Sequence, residues 1–445
     1  MAKDMRTHLQ ELEQQNRVVR IKREVDPVYE LPAVARKIHK KYGKAVMFDR
    51  VKGSAVPLVT YIFPDRSAVA SALNFTPGKE LEEWAEREGR KMPYERVNTA
   101  SVQDIVKLGA DVDLFKLPIV THSNGDAGAY ITGGIVVAKD PENQVINASY
   151  NRLQLVDKNK LRVRMMPPQH LGLCHAAAEK QNKNLEAAIV IGAPPGLMFS
   201  AASKIPYNRC EMEFAGSLAD EPMKVIKCVT IDVDVPADAE FVIEGEVLAN
   251  VREDEGPFGE FTDSYVPVMK NHVFHVKAIT YRKNPIYHEI YAGGQEDLYL
   301  LGLPIEAEIY QHVKKYAPNQ ITGISTSPFV FGCTIGLRKQ TEEQPKNIIL
   351  SALASYAWIK MCVVVDEDVN IYDADDVMWA IQNRCCPDKD IILVPGVSSY
   401  TREDVREVHV GKFGLDVTVP LKLKEIMRRR YIPGEVSIDA DDYLD

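Results

Sequence analysis

The chain is short of most features that would assign it quickly. Its seven cysteines are scattered, odd in number and include no Cys-x-x-Cys pair, which excludes a disulfide framework and a zinc knuckle. Cys385 and Cys386 are adjacent, a poor geometry for sharing one metal, so the thiols read as structural. No apolar run approaches the roughly 18 residues of a membrane helix. Neither an apolar signal core nor an anchoring pattern marks the polar N-terminus, so a cytoplasmic protein is expected. Basic residues are outnumbered, 54 against 63, giving a net charge of −9 without a basic stripe, so nucleic acid is not an expected partner. Gly-rich phosphate loops of the Rossmann and Walker types are missing, as are internal repeats and low-complexity segments.

What is present is an ordinary globular composition over 445 residues, enough for two or three cores. Residues 1–105 alternate helical and extended patterns, with helices expected at 5–15, 31–42, 66–73 and 81–89 and short strands at 45–48 and 56–62. Residues 91–97, containing Pro93, read as a linker. Residues 106–304 read as many antiparallel strands with helical insertions, the pattern of a barrel or strongly curved sheet. In it, 131–139, 145–155, 161–166, 225–235, 240–248 and 272–282 are expected strands, and 168–181 and 198–204 helices. A helix over 305–316 links to residues 318–445, again α/β. There, a further helix and an acidic tail after Pro420 form a terminal arm.

Chemistry concentrates in four places. Glu255-Gly-Pro-Phe-Gly-Glu260 sets two glutamates five residues apart around turn-forming residues. A tight turn would bring the carboxylates together, and two close carboxylates resist ionising at once, which suits a general acid. Glu253 and Asp254, just upstream, read as solvent-facing. Asn147-x-Ser149-x-x-Arg152 offers an amide, a hydroxyl and a guanidinium. Strand alternation places Arg152 opposite Asn147 and Ser149 unless a bulge intervenes. His170 follows Gln169 at a helix start, and Glu211 opens a segment running to Gly216. An Asn, His and Glu set suits Mn²⁺ or Mg²⁺ better than structural zinc.

In this order, these four motifs resemble the UbiD family of reversible decarboxylases, which use prenylated flavin mononucleotide. The likeness extends across most of the chain, including Val364–Val369 and Asp376–Ala380. It implies an α/β (α+β) fold: an N-terminal α/β domain (1–105), a central split β-barrel flavin-binding domain (106–304), a linking helix (305–317) and a C-terminal α/β oligomerisation domain (318–445). It also implies that Asn147, His170 and Glu211 hold a divalent metal, usually Mn²⁺, with Glu213 the alternative to Glu211. Ala202, Ser203, Ile205 and Glu211 would hold K⁺. Ser149, Tyr150, Gln169 and Lys339 join Asn147, Arg152, His170, Ile205 and Glu211 as cofactor contacts.

By the same resemblance, Arg152, Glu255 and Glu260 form the catalytic network, acting on a covalent substrate–flavin adduct from which CO2 leaves. The implied substrate is an aromatic, heteroaromatic or α,β-unsaturated carboxylic acid. Arg164 is either a contact for a second anionic group or, more simply, a solvent-facing hairpin residue. Implied partners are a flavin prenyltransferase that supplies the cofactor and a second copy of the chain. Two competing classes are a flavin-binding reductase-type barrel and a silent subunit of a carboxylase assembly. The first gives the paired glutamates no task, and the intact Arg152, Glu255 and Glu260 weigh against the second.

Overall fold

The computed structural model describes residues 4–166, 169–400, 411–434, 437–438 and 440–443. It divides into two compact units, Met1–Ala307 and Glu308–Asp445, whose boundary falls within the helix Gln295–Val313.

In the first unit, a four-stranded sheet runs in the order Val18–Val25, Ala45–Val51, Leu58–Thr60, Tyr287–His288. The first strand was not anticipated: Val18 to Val25 is broken up by Arg20, Lys22, Arg23 and Glu24, which mask its period, yet it pairs in parallel with Ala45–Val51. The last strand arrives from far along the chain. The helices Met5–Gln14 and Glu30–Tyr42 are amphipathic. The first is capped by the Asp4 carboxylate, and the second ends on Gly43 in the left-handed region.

The larger sheet has nine strands. Its hydrogen-bonded path is Tyr130–Ile131, Leu153–Asp157, Lys160–Val163, Met269–Tyr281, Phe241–Glu255, Leu185–Ile191, Ile135–Lys139 and Ile146–Tyr150, with Ile105–Leu108 added on Met269–Tyr281. All its pairings are antiparallel. The two longest strands lie side by side, with register breaks after Glu244 and after Val247. Gly245 sits at the first break, where a Cβ would fall 2.1 Å from the His275 carbonyl oxygen. Phe48 and Leu58 of the small sheet share one buried apolar cluster with Val136, Ile189, Phe241 and Phe274 of the large one.

Several sequence expectations need correction. The expected strand 145–155 is two strands, because Asn151 and Arg152 leave the ladder between Tyr150 and Leu153. The strand 131–139 is likewise interrupted over Thr132–Gly134, where a Cβ on Gly133 would strike the His288 carbonyl at 2.6 Å. The strand 225–235 divides into Lys224–Lys227 and Asp234–Pro236. The linker contains a strand, Glu95–Arg96, that pairs with Lys224–Lys227. The helix expected at 198–204 is Pro195–Ala202, with Pro195 at its start.

The second unit is a five-stranded sheet in the order Ile321–Ser325, Gly332–Leu337, Met361–Asp366, Lys412–Asp416, Ile391–Val394. Its three central strands are parallel and its edges antiparallel. The helices Gln344–Ser355 and Ala374–Arg384 belong to this unit, and Val363, Val365, Ile371 and Ala380 form a core. The linking helix begins ten residues earlier than expected, at Gln295, and contains Pro304. Among the described residues after Pro420 the expected helix gives way to the 3-10 turns Leu421–Leu423 and Ala440–Tyr443, and Ile426, Tyr431 and Ile432 are exposed. Pro167 and Pro168, and Asp439, Leu444 and Asp445 of the acidic tail, lie outside the described residues.

Candidate active site

Glu255 is the last residue of the strand Phe241–Glu255, and Glu260 ends the short strand Phe258–Glu260, which pairs with Ser264–Val266. Between them, Gly256 has φ +95°, a conformation glycine adopts without cost. The stretch is therefore a join between two strands rather than a bare tight turn.

Its two carboxylates do not face each other. Arg152, released from the ladder between Tyr150 and Leu153, stands between them. Nε donates to Glu255 Oε1 at 2.9 Å and Nη2 to Glu255 Oε2 at 2.8 Å. Nη1 donates to Glu260 Oε1. The break in the strand removes the alternation problem, since Arg152 needs no bulge to turn toward the glutamates.

Glu255 is fully buried and also accepts from Asn271 Nδ2 at 2.8 Å and Tyr130 Oη at 3.1 Å. Four donors thus converge on one carboxylate, and a buried charge needs this kind of company. The Glu260 side chain is 22% exposed, against 0% for Glu255, so the two carboxylates are not equivalent. The Arg152 guanidinium lies 5.0 Å from the centre of the Phe258 ring. Burial disfavours its charge, but the hydrogen bonds and charge of Glu255, followed by the charge of Glu260, outweigh this and raise its pKa. Burial and then the Glu255 charge push the Tyr130 phenol upward, so it remains a donor.

The second cluster forms where the short helices Pro195–Ala202 and Glu211–Ala219 cross. Gly196 permits the crossing, as a Cβ there would meet the Ala215 carbonyl at 2.7 Å. Glu211 is the buried first residue of its helix. Its Oε1 accepts from Asn147 Nδ2 at 3.0 Å and its Oε2 from Ala148 N–H at 2.9 Å. His170 Nδ1 lies 3.8 Å from Oε1. Burial raises the Glu211 pKa, against the pull of His170 and the Ala148 N–H. Glu213 is on the same helix but only half-buried.

Among the described residues, no three His, Cys, Asp or Glu side chains are arranged to hold a metal. The set here depends on the Asn147 amide. A buried carboxylate, an amide and an imidazole fit a hard divalent cation, which would offset the desolvation of Glu211. Ser200 Oγ donates to the Glu211 carbonyl at 2.5 Å, placing the end of the helix Pro195–Ala202 beside this cluster. Ala202 ends that helix, Ser203 follows it with its Oγ donating to the Phe199 carbonyl at 2.7 Å, and Ile205 is buried.

Ser149 Oγ donates to Asn151 Oδ1 at 3.0 Å. The Gln169 amide oxygen accepts from Met166 N–H at 3.4 Å, and the His170 ring meets Tyr207 edge-on at 5.2 Å. Tyr150 is half-buried at the strand end, its phenol pushed upward by burial and then by Glu296 and Asp297. Arg164 places its guanidinium nitrogens 3.1 Å from the sulfurs of Met166 and Met269. Lys339 belongs to the second unit, where its Nζ is 2.7 Å from Glu342 and donates to Thr418 Oγ1 at 3.1 Å. Glu253, expected to face solvent, is partly exposed and pairs there with Lys160 at 2.5 Å and Arg162 at 3.0 Å.

Residues 9–88, 95–295 and 298–417 match the N-terminal, Rift-related and C-terminal domains of the 3-octaprenyl-4-hydroxybenzoate carboxy-lyase family, UbiD. The chain belongs to the UbiD family. It is an enzyme of the prenylated-FMN-dependent carboxy-lyase class, with the family's three-part mixed α/β architecture. It is 34% identical over 432 residues to the anhydromevalonate phosphate decarboxylase of Methanosarcina mazei, covering 95% of this chain and 98% of that one. The UbiD-class enzyme HmfF from Pelotomaculum thermopropionicum, in complex with FMN, is 36% identical with a TM-score of 0.93, over 99% and 100% of the two chains. An evolved dimeric form of HmfF in complex with prFMN is 35% identical with a TM-score of 0.90 over the same shares.

The sequence did not point to Tyr130 or Asn271. Asn271 carried a weak signal, an amide at the inward phase of the strand Met269–Tyr281, between Met269 and Val273.

Proposed function

We propose that the chain decarboxylates, reversibly, an aromatic, heteroaromatic or α,β-unsaturated carboxylic acid, with Arg152, Glu255 and Glu260 as its catalytic residues. The observation that carries this reading is the Arg152 guanidinium bound to both glutamates, one sealed and one open. Prenylated FMN is the proposed cofactor, held through its phosphate and a divalent metal by Asn147, His170 and Glu211, with Ser149, Tyr150 and Gln169 beside it. When bound, it supplies the covalent electron sink that decarboxylation at an unsaturated carbon requires.

The chain's own residues do the rest. Arg152 orients the substrate carboxylate, and Glu255 fixes Arg152 through two parallel hydrogen bonds. As the C–C bond to the carboxylate breaks and CO2 departs, the Glu260 carboxyl gives its proton to the carbon left behind. Solvent then restores the proton through the exposed side of Glu260. The network is preorganised, so little rearrangement accompanies the step. Run backwards, the same groups take up CO2 and return the proton to Glu260.

A phosphorylated unsaturated acid is a second reading of the substrate. It is favoured by the relative from Methanosarcina mazei, an anhydromevalonate phosphate decarboxylase. A second copy of the chain as partner, a separate prenyltransferase as cofactor supplier and a cytoplasmic location remain parts of the proposal.

The test is to produce the protein together with a flavin prenyltransferase, record its absorption spectrum and measure CO2 release over a panel of acids. Glu260→Gln is expected to keep the flavin spectrum and lose turnover by ~10²-fold or more. Full turnover in that variant would remove Glu260 from the mechanism, and a flavin-free protein with stoichiometric zinc would overturn the cofactor.

A further inference from the structure

The backbone before Glu260 is held by one aspartate outside the Arg152 network, and the backbone after it lies close against a glycine that a second aspartate fixes. On one side, Asp126 Oδ1 accepts from Gly259 N–H at 2.8 Å, while its Oδ2 accepts from Ser123 N–H at 2.8 Å. On the other side, Phe261 abuts Gly293. This glycine has φ +72°, and a Cβ on it would lie 2.7 Å from the Phe261 carbonyl oxygen and 3.3 Å from its Cα. Gly293 is fixed in turn by Asp297, whose Oδ2 accepts its N–H at 2.8 Å, and the turn closes with Gly294 N–H on the Tyr291 carbonyl at 2.8 Å.

We propose that Asp297 is a positioning residue for Glu260, acting through the Tyr291–Gly294 turn. The proposal deepens the function given above and rests on it. The simpler role, a cap on the first turn of the helix Gln295–Val313, accounts for the Gly293 hydrogen bond. It does not account for the glycine's close approach to the residue following Glu260.

The charged and titratable surroundings favour the coupling. Glu260 faces Asp297 from the strand Phe258–Glu260, Tyr150 from the end of Ile146–Tyr150, and Glu296 from the same helix. The Glu296 carboxylate is itself engaged by Tyr61 N–H, Ile62 N–H and His288 Nε2. Burial pushes the Asp297 carboxyl up to about 7, opposed by the Gly293 N–H and reinforced by the charges of Glu260 and Glu296. Around neutral pH, Asp297 therefore changes both its grip on Gly293 and the charge beside Glu260.

The experiment compares Asp297→Ala and Asp297→Asn with the parent by amide hydrogen exchange of flavin-free protein and by kcat, KM and pH profile of the loaded enzyme. Asp297→Ala is expected to speed exchange over residues 256–261 and to lower kcat ~10- to 100-fold with little change in KM. Asp297→Asn keeps an acceptor for Gly293. It should restore slow exchange and most of kcat, and lose the inflection near neutral pH. Unaltered exchange over 256–261 in Asp297→Ala, with only a lower unfolding temperature, would reduce Asp297 to a helix cap and overturn the proposal. If Asp297→Ala does not fold, a parental pH profile in Asp297→Asn overturns it equally. The exchange measurement needs no cofactor, so it stands apart from the Glu260→Gln result that tests the proposed function.

Discussion

Arg152 grips Glu255 with a two-pronged fork, Nε and Nη2 at 2.9 and 2.8 Å, and reaches Glu260 only with the nitrogen left over. One carboxylate therefore fixes the guanidinium, and the other meets it through a single nitrogen and keeps an exposed face. The asymmetry comes from burial and donor supply. Asn271 and Tyr130 complete the shell of Glu255, while Glu260 keeps an open face.

Arg152→Lys should separate geometry from charge. Lysine keeps the cation but has no planar fork, so Glu255 loses one of two parallel bonds in a sealed site. The expected outcome is a stability loss of ~2 kcal/mol by denaturant unfolding and a fall in kcat of ~10²-fold or more. Parental turnover in this variant would mean that the fork is not needed.

Glu211 should report the metal without any turnover measurement. In flavin-free protein, Mn²⁺ at ~100 times its dissociation constant should add ~2.7 kcal/mol to unfolding stability. Glu211→Gln should abolish most of that gain, whereas Glu213→Gln should preserve it. The reverse pattern would transfer the ligand role to Glu213.

His272 predicts an acid weakness unrelated to the active site. Burial, then Arg252 and the neighbouring His175 ring 4.6 Å away, depress its pKa to about 3. Its unfolded value is near 6.5, so between these limits the unfolded chain binds the extra proton. The contribution is present above about 6.5 and lost as pH falls toward about 3, at up to roughly 1.4 kcal/mol per pH unit. His272→Leu should flatten the dependence of unfolding stability on pH in that window. An unchanged slope would mean that other groups set it.

Much of this protein can be read along the chain because its signals are local. The helices Met5–Gln14 and Glu30–Tyr42 announce themselves by amphipathic spacing and end chemistry. The order of the four motifs carries the family, as Asn147, His170, Glu211 and Glu255 each sit in a distinctive short context. Strands were less legible where period and environment disagreed. Val18–Val25 hides behind its charges, and Ile146–Asp157 looks continuous although its break frees Arg152.

By itself, the sequence determined the residue types of the site, their order and the family. Those depend on side-chain chemistry and spacing within a few residues. The tertiary structure decided what the two glutamates are to each other. Only the pairing of Phe241–Glu255 with Met269–Tyr281 brings Asn271 to Glu255, and only the gap after Tyr150 lets Arg152 stand between the carboxylates. A pair that reads as two acids sharing a proton becomes one sealed anchor and one open carboxyl. Burial and the convergence of donors from distant strands make that difference, and no spacing along the chain encodes them.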